Sequence, residues 1–241
     1  FPCRFINCGI AEQNMVGVAA GLALCGKKPY VYSIIPFVTM RAFEQIKNDV
    51  CYQNLDVKII GMGAGFNYGP LGCTHHAIED LALRALPNIT IISPADSIET
   101  RELILQAYKT ASPTYIRMSK LPVAEKDMPG EESQKIELGK PAVLKSGKDG
   151  VIISTGTQTK ICLEVAKKLN EQSKDLKVVS LHTLKPIDKN LLLAEVNNFK
   201  NIIIVEEHNI LGGLASAICE ILVESDNMWR VKKIGVPDEY S

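Results

Sequence analysis

Apolar residues along this chain alternate between two rhythms. Short runs rich in β-branched side chains, such as Ile89-Thr90-Ile91-Ile92, are separated by longer amphipathic stretches. The first rhythm belongs to strands and the second to helices with one buried face. The pattern predicts strands over 30–33, 57–61, 89–93 and 115–118, and helices over 11–25, 41–50, 79–86 and 98–110. Pro87-Asn88 and Pro94-Ala95-Asp96 punctuate them. A stretch from 121 to 150, rich in proline, glycine and charge, interrupts the alternation. It then resumes with strands over 151–154, 177–180 and 201–206 and helices over 158–170, 188–196 and 212–223. Such alternation builds βα units around parallel strands. The expected fold is α/β, with two domains, 1–124 and 125–241, each a mainly parallel sheet flanked by helices. A linker and a small hairpin turning at Asp149-Gly150 are expected between them.

Composition narrows the function classes. The chain has 241 residues, 46% apolar and 22% charged, as soluble globular proteins do. Lys plus Arg and Asp plus Glu both total 27, so no basic excess points to nucleic acid or an anionic membrane. No apolar run reaches the roughly 18 residues a bilayer span needs. The seven cysteines, among them Cys51, Cys73 and Cys162, form no CxxC pair. They read as reduced, buried thiols of a cytoplasmic protein, with no metal site expected. The first residue is Phe1 rather than Met, and no signal peptide follows, so the chain is expected to begin inside a longer one.

Three segments are candidates for chemistry. In Gly9-Ile10-Ala11-Glu12-Gln13-Asn14 a carboxylate opens a helix that is otherwise small and apolar. Gly17, Ala20 and Gly21 suit close packing against another surface, and a Glu held at such a dry interface has a raised pKa. The alternative is a first-turn Glu that complements the helix dipole. The run from Gly61 to His76 is glycine-rich, follows a strand, and ends in two histidines. Glycines at a strand's carboxyl end let backbone and ligand meet, although this spacing is not a dinucleotide fingerprint. A capping Thr74 with exposed imidazoles is the alternative. Phe37, just beyond a strand, is either a stacking platform or a core residue. His182 and His208 are isolated and read as structural or surface residues.

Taken together, these segments resemble the transketolase family of thiamine diphosphate enzymes over nearly the whole chain. The residues that carry the resemblance are Arg4-Phe5-Ile6-Asn7-Cys8-Gly9-Ile10-Ala11-Glu12-Gln13-Asn14, Arg41-Ala42-Phe43-Glu44-Gln45-Ile46, and Thr74-His75-His76-Ala77-Ile78-Glu79-Asp80-Leu81-Ala82. Ser93-Pro94-Ala95-Asp96 and Glu206-Glu207-His208-Asn209-Ile210-Leu211-Gly212-Gly213 follow in the family's order. The resemblance implies a pyrimidine-binding domain followed by the family's C-terminal domain. It implies Glu12 as the glutamate that activates the coenzyme's aminopyrimidine, with Phe37 stacking on that ring and Ile10 and Arg41 beside it. His75 corresponds to the substrate-facing histidine, with His76 next to it, and Arg117 and Lys120 to a basic stretch that holds a substrate phosphate.

Departures from the family pattern are also visible. Leu71 and Cys73 replace an Asp and a Pro, and Gly63 stands where many members have a phosphate-binding histidine, so an unusual sugar is expected. No GDG motif occurs in these 241 residues, so the domain that holds the diphosphate and Mg²⁺, and the pyrimidine domain's opening strand and helix, are expected to lie outside this sequence. The resemblance therefore implies the C-terminal subunit of a split transketolase, or part of a longer one. Its GDG-bearing partner would complete the site, in a dimer of heterodimers that moves a two-carbon ketol unit between sugars. A deoxyxylulose phosphate synthase-like enzyme, a 2-oxoacid dehydrogenase β subunit and a non-catalytic subunit are the alternatives.

Overall fold

The computed structural model describes residues 2–120 and 135–240. The amino-terminal half contains α1 (Glu12–Leu24), β1 (Tyr30–Ile34), α2 (Ile35–Thr39), α3 (Phe43–Gln45), β2 (Lys58–Met62), β3 (Thr90–Ile92), α4 (Ser97–Lys109) and β4 (Thr114–Met118). The second half contains β5 (Ala142–Lys145), β6 (Gly150–Ser154), α5 (Gln158–Asn170), β7 (Leu176–Ser180), β8 (Thr183–Lys185), α6 (Lys189–Val196), β9 (Asn201–Asn209), α7 (Leu214–Leu222) and β10 (Arg230–Val236). Two five-stranded sheets result, ordered β1-β2-β4-β3-β8 and β10-β9-β6-β7-β5. All pairings are parallel except β8 on β3 and β5 on β7. The α/β architecture expected from the pattern is present.

Three details differ from the expectation. The helix expected over 41–50 is short α-helix followed by a π-helix, Ile46–Cys51. The one expected over 79–86 is a 3-10 helix, Asp80–Ala85, whose first turn is capped from the second half of the chain: the backbone N–H of Leu81 donates to His208 Nε2 at 3.2 Å. Asp149-Gly150 closes no hairpin. β5 pairs with β7, and Gly147 lies so close to the backbone of Leu176 and Lys177 that a Cβ there would come within 2.3 Å. The expected linker falls largely on 121–134, outside the described residues.

The two halves interlock. β8 belongs in sequence to the second half but forms the edge of the first sheet, with Ile92 opposite Thr183. One apolar cluster runs from Val16, Ile59 and Ile91 of the first half to Ile153, Ile204 and Ile218 of the second. In β9 every second residue is buried: Ile202, Ile204, Glu206 and His208. The strand therefore carries its apolar face into two polar residues at its carboxyl end. His182 and His208 are both buried, so of the two expected settings for each it is the structural one that holds.

Candidate active site

The carboxyl ends of the first sheet's strands gather the sequence-predicted residues. Glu12 begins α1 and is 7% exposed. Its Oε1 accepts a hydrogen bond from Ser33 Oγ at 3.0 Å, and its Oε2 accepts one from Arg41 Nη1 at 2.8 Å. Burial pushes the Glu12 carboxyl up, but bonds from its own backbone N–H, Arg41 and Ser33 together outweigh it and hold the group below its usual range. The expected raised pKa is thus corrected: this Glu is an anion with its donors in place.

Phe37 lies in α2, which starts directly after β1 with Pro36 in its first turn. The Arg41 guanidinium stacks over the Phe37 ring, 4.4 Å from its centroid. The His75 ring meets Phe37 edge-on at 5.0 Å and 73°. Thr74 Oγ1 lies 3.0 Å from His75 Nδ1, which leaves Nε2 without a protein partner in that bond. Beyond His75 comes Tyr68 at 6.2 Å, and the ammonium of Lys120 sits over the Tyr68 ring at 4.7 Å. One continuous row therefore runs Glu12, Arg41, Phe37, His75, Tyr68, Lys120.

His75 and His76 diverge. His76 is 6% exposed, with Nε2 3.2 Å from Gly69 O and its ring against Phe66 at 4.8 Å. It holds the loop, and its expected substrate contact is not formed by this geometry. Arg117 also departs from expectation. It is 2% exposed and bonds Asp80, Glu207 and the Ala77 carbonyl, so its guanidinium is spent inside the protein and does not reach a substrate phosphate. The coulombic pull of Asp80 and Glu207 outweighs its burial and fixes the positive charge. Ile10 is 93% exposed on the chain leading into Glu12. Leu71, 54% exposed, and Cys73 lie on the outside of the loop.

Sequence reasoning missed three residues around this row. Ser33 was visible only as a polar residue ending an apolar strand. Tyr68 takes the space that Gly63 leaves: a Cβ at Gly63, whose φ is +95°, would lie 2.1 Å from Tyr68 Cε2. Asn67 Oδ1 accepts from Ser119 Oγ at 2.6 Å and from Lys120 N at 2.7 Å, tying the glycine loop to the end of β4. The signal for both Tyr68 and Asn67 was their place inside the glycine-rich run. Of the seven free cysteines Cys51 and Cys162 are buried, whereas Cys3, Cys25 and Cys73 are exposed, which corrects the expectation of buried thiols throughout. Among the described residues no helix is long and apolar enough to cross a membrane.

The residues present can be tested against the implied coenzyme. The Arg41 guanidinium is a planar group that donates to Glu12 and stacks on Phe37. An aminopyrimidine is likewise planar, hydrogen-bonds a carboxylate and stacks on an aromatic face, so the residues fit that group.

The transketolase pyrimidine-binding domain model matches residues 1–125, and the transketolase C-terminal domain model matches residues 139–241. The chain is 37% identical to one of the subunits of an apulose-4-phosphate transketolase from Actinobacillus succinogenes, over 99% of this chain and 76% of that one. It is 38% identical to 1-deoxy-D-xylulose-5-phosphate synthase of Halothermothrix orenii, over 100% of this chain and 38% of that one. A split-gene transketolase solved as an inactive beta4 tetramer superposes with a TM-score of 0.88 at 42% identity, over 99% of this chain and 76% of that one. With both domain models matched in order and that degree of identity, the chain belongs to the transketolase family.

Proposed function

We propose that this chain supplies the pyrimidine-binding half of a thiamine diphosphate-dependent transketolase site and transfers a two-carbon ketol unit between sugars. The observation that carries the reading is the Arg41 guanidinium held between the Glu12 carboxylate and the Phe37 face. When bound, the coenzyme supplies an electron sink for a carbanion. The pyrimidine would take the place the Arg41 guanidinium holds: Glu12 would accept its hydrogen bond and move proton density on it, Phe37 would orient the ring, and Arg41, moved off that face, and Ile10 would lie alongside. His75, whose ring meets Phe37 edge to face, would exchange protons with a substrate hydroxyl or carbonyl. Lys120, exposed and seated on Tyr68, supplies the cation for an anionic end of the sugar.

Diphosphate and Mg²⁺ belong to a GDG-bearing partner chain in this reading. An open face supports such a partner: a Cβ added at Gly17 or Gly21 would meet nothing within 4 Å, and Phe5, Ile6, Ile10 and Leu24 are 59–93% exposed. The assembly is a dimer of heterodimers, and its location is cytoplasmic, consistent with the free thiols.

Calorimetry with thiamine diphosphate and Mg²⁺ tests the reading, on this chain alone and mixed with a GDG-bearing neighbour. Tight binding in the mixture only is expected, and Glu12→Gln should lower ketol transfer at least about a hundredfold. Binding in neither case would favour a non-catalytic subunit, and normal rates for Glu12→Gln would overturn its role in activating the coenzyme. The identity to a deoxyxylulose phosphate synthase keeps a 2-oxoacid donor as the second reading. Release of CO₂ from pyruvate by the complex would establish it.

A further inference from the structure

Among the described residues, the second half of the chain places none in the row from Glu12 to Lys120, yet it grips the loop that carries His75. Three successive residues at the end of β9 do so. Glu207 Oε1 accepts from Arg117 Nη1 at 3.1 Å, and its carbonyl accepts from Arg117 Nη2 at 3.2 Å. The same Nη2 donates to the carbonyl of Ala77 at 2.9 Å, two residues beyond His75. His208 Nε2 accepts from Leu81 N at 3.2 Å, and Asn209 N donates to Ile78 O at 3.0 Å.

The start of the loop rests on the same strand. Gly65 and Ala77 exchange both backbone hydrogen bonds, at 3.0 and 2.9 Å. A Cβ at Gly65, whose φ is +59°, would meet Glu207 O at 3.0 Å. Glu207 is itself held: Thr157 Oγ1 donates to its Oε2 at 2.9 Å. Around Arg117, the partners Asp80 and Tyr115 come from the first half, with Tyr115 OH donating to Asp80 Oδ2 at 2.7 Å. Glu207 is the acidic partner that Arg117 finds in the second half.

We infer that Glu207 is a positioning residue for His75, acting through Arg117 on the Ala77 carbonyl, so that the second half of the chain sets the histidine's place against Phe37. The inference rests on His75 serving the reaction proposed above. Its physical basis is that a buried guanidinium with each of its nitrogens engaged has one geometry, and the Ala77–Gly65 bridge transmits that geometry to both ends of the loop. A displacement of about 1 Å at a reacting group lowers rates by about a hundredfold.

The neighbouring Glu206 is the built-in control. It accepts from Leu214 N and Ala215 N at the start of α7 and serves that helix, and Arg117 acts on it through charge alone, whereas Glu207 bonds the guanidinium directly. The experiment compares Glu207→Ala, Glu207→Gln and Glu206→Gln. The first readout is the ring NMR signal of His75 in histidine-labelled chain, assigned with His75→Gln among the four histidines. The second is the kcat and KM of the complex reconstituted with its diphosphate-binding partner, alongside coenzyme affinity.

Glu207→Ala should move the His75 signal and lower kcat about a hundredfold with coenzyme affinity unchanged. Glu207→Gln, which keeps an accepting oxygen, should do both to a smaller extent. It also serves if the alanine variant fails to fold. Glu206→Gln should lose stability while leaving the His75 signal and kcat in place. An unmoved His75 signal in the Glu207 variants, or the same signal change in Glu206→Gln, overturns the inference. Because the NMR readout needs no coenzyme, a moved signal with no activity in any form would instead count against the proposed reaction and leave the positioning role standing.

Discussion

Replacing Glu99 by Gln should change how stability depends on pH. Glu99 lies in the first turn of α4 and is 4% exposed. Its Oε2 accepts from Ala95 N and its Oε1 from Ser180 Oγ, both at 2.7 Å, so it joins α4 to β7 of the other sheet. Burial lifts its carboxyl from 4.5 to about 7 in spite of these donors. A carboxyl raised in the folded state contributes stability that is full below its unfolded pKa and is lost as pH climbs through 7. At about 1.4 kcal/mol per pH unit, the change between pH 4.5 and 8 is about 3 kcal/mol. Gln matches the protonated carboxyl in shape and does not titrate. The free-energy difference between Glu99→Gln and the unaltered chain should therefore shift by about 3 kcal/mol in favour of the variant from pH 4.5 to 8. Urea unfolding at a fixed protein concentration, at four or five pH values across that range, measures it. A difference independent of pH would refute the assignment of a buried, protonating Glu99.

His182 acts with the opposite sign. It is fully buried, burial pushes it down to about 4, and it should lose the chain about 3 kcal/mol as pH falls from 6.5 to 4, visible most clearly by urea unfolding in the Glu99→Gln background. Gly213→Ala should lower stability by about 2 to 3 kcal/mol, because its Cβ would sit 1.9 Å from Glu206 Oε2 and drive that carboxylate off Leu214 N and Ala215 N. An unchanged urea midpoint would contradict it. Lys120→Met should raise the KM of a phosphorylated sugar about tenfold and leave an unphosphorylated one unaffected, as steady-state kinetics of the complex can show.

Much of the architecture is written locally. β-Branched runs and amphipathic stretches place most strands and helices of both sheets within a few residues, since each depends on neighbours along the chain. β8 and β10 escape that reading. β8 is three residues long and pairs with a strand far earlier in the chain, and β10 is a charged, exposed edge. The positions of Glu12, Phe37 and His75 are legible because helix starts and strand ends are local features that motifs mark.

What a side chain meets is a different kind of information. Arg117 has the composition of a ligand-binding residue and becomes a buried cation because Asp80 and Glu207 converge on it from separate halves of the chain. His75 and His76 are adjacent and chemically identical in sequence. The tertiary structure separates them, because the backbone of 65–77 folds back on itself and turns one ring toward Phe37 and the other toward Gly69. Glu12 shows both levels in one residue. Its place at a helix start is set by the sequence alone, while its charge state is decided by Ser33 and Arg41, which lie 21 and 29 residues away and reach it only when the strand and helix between them are packed.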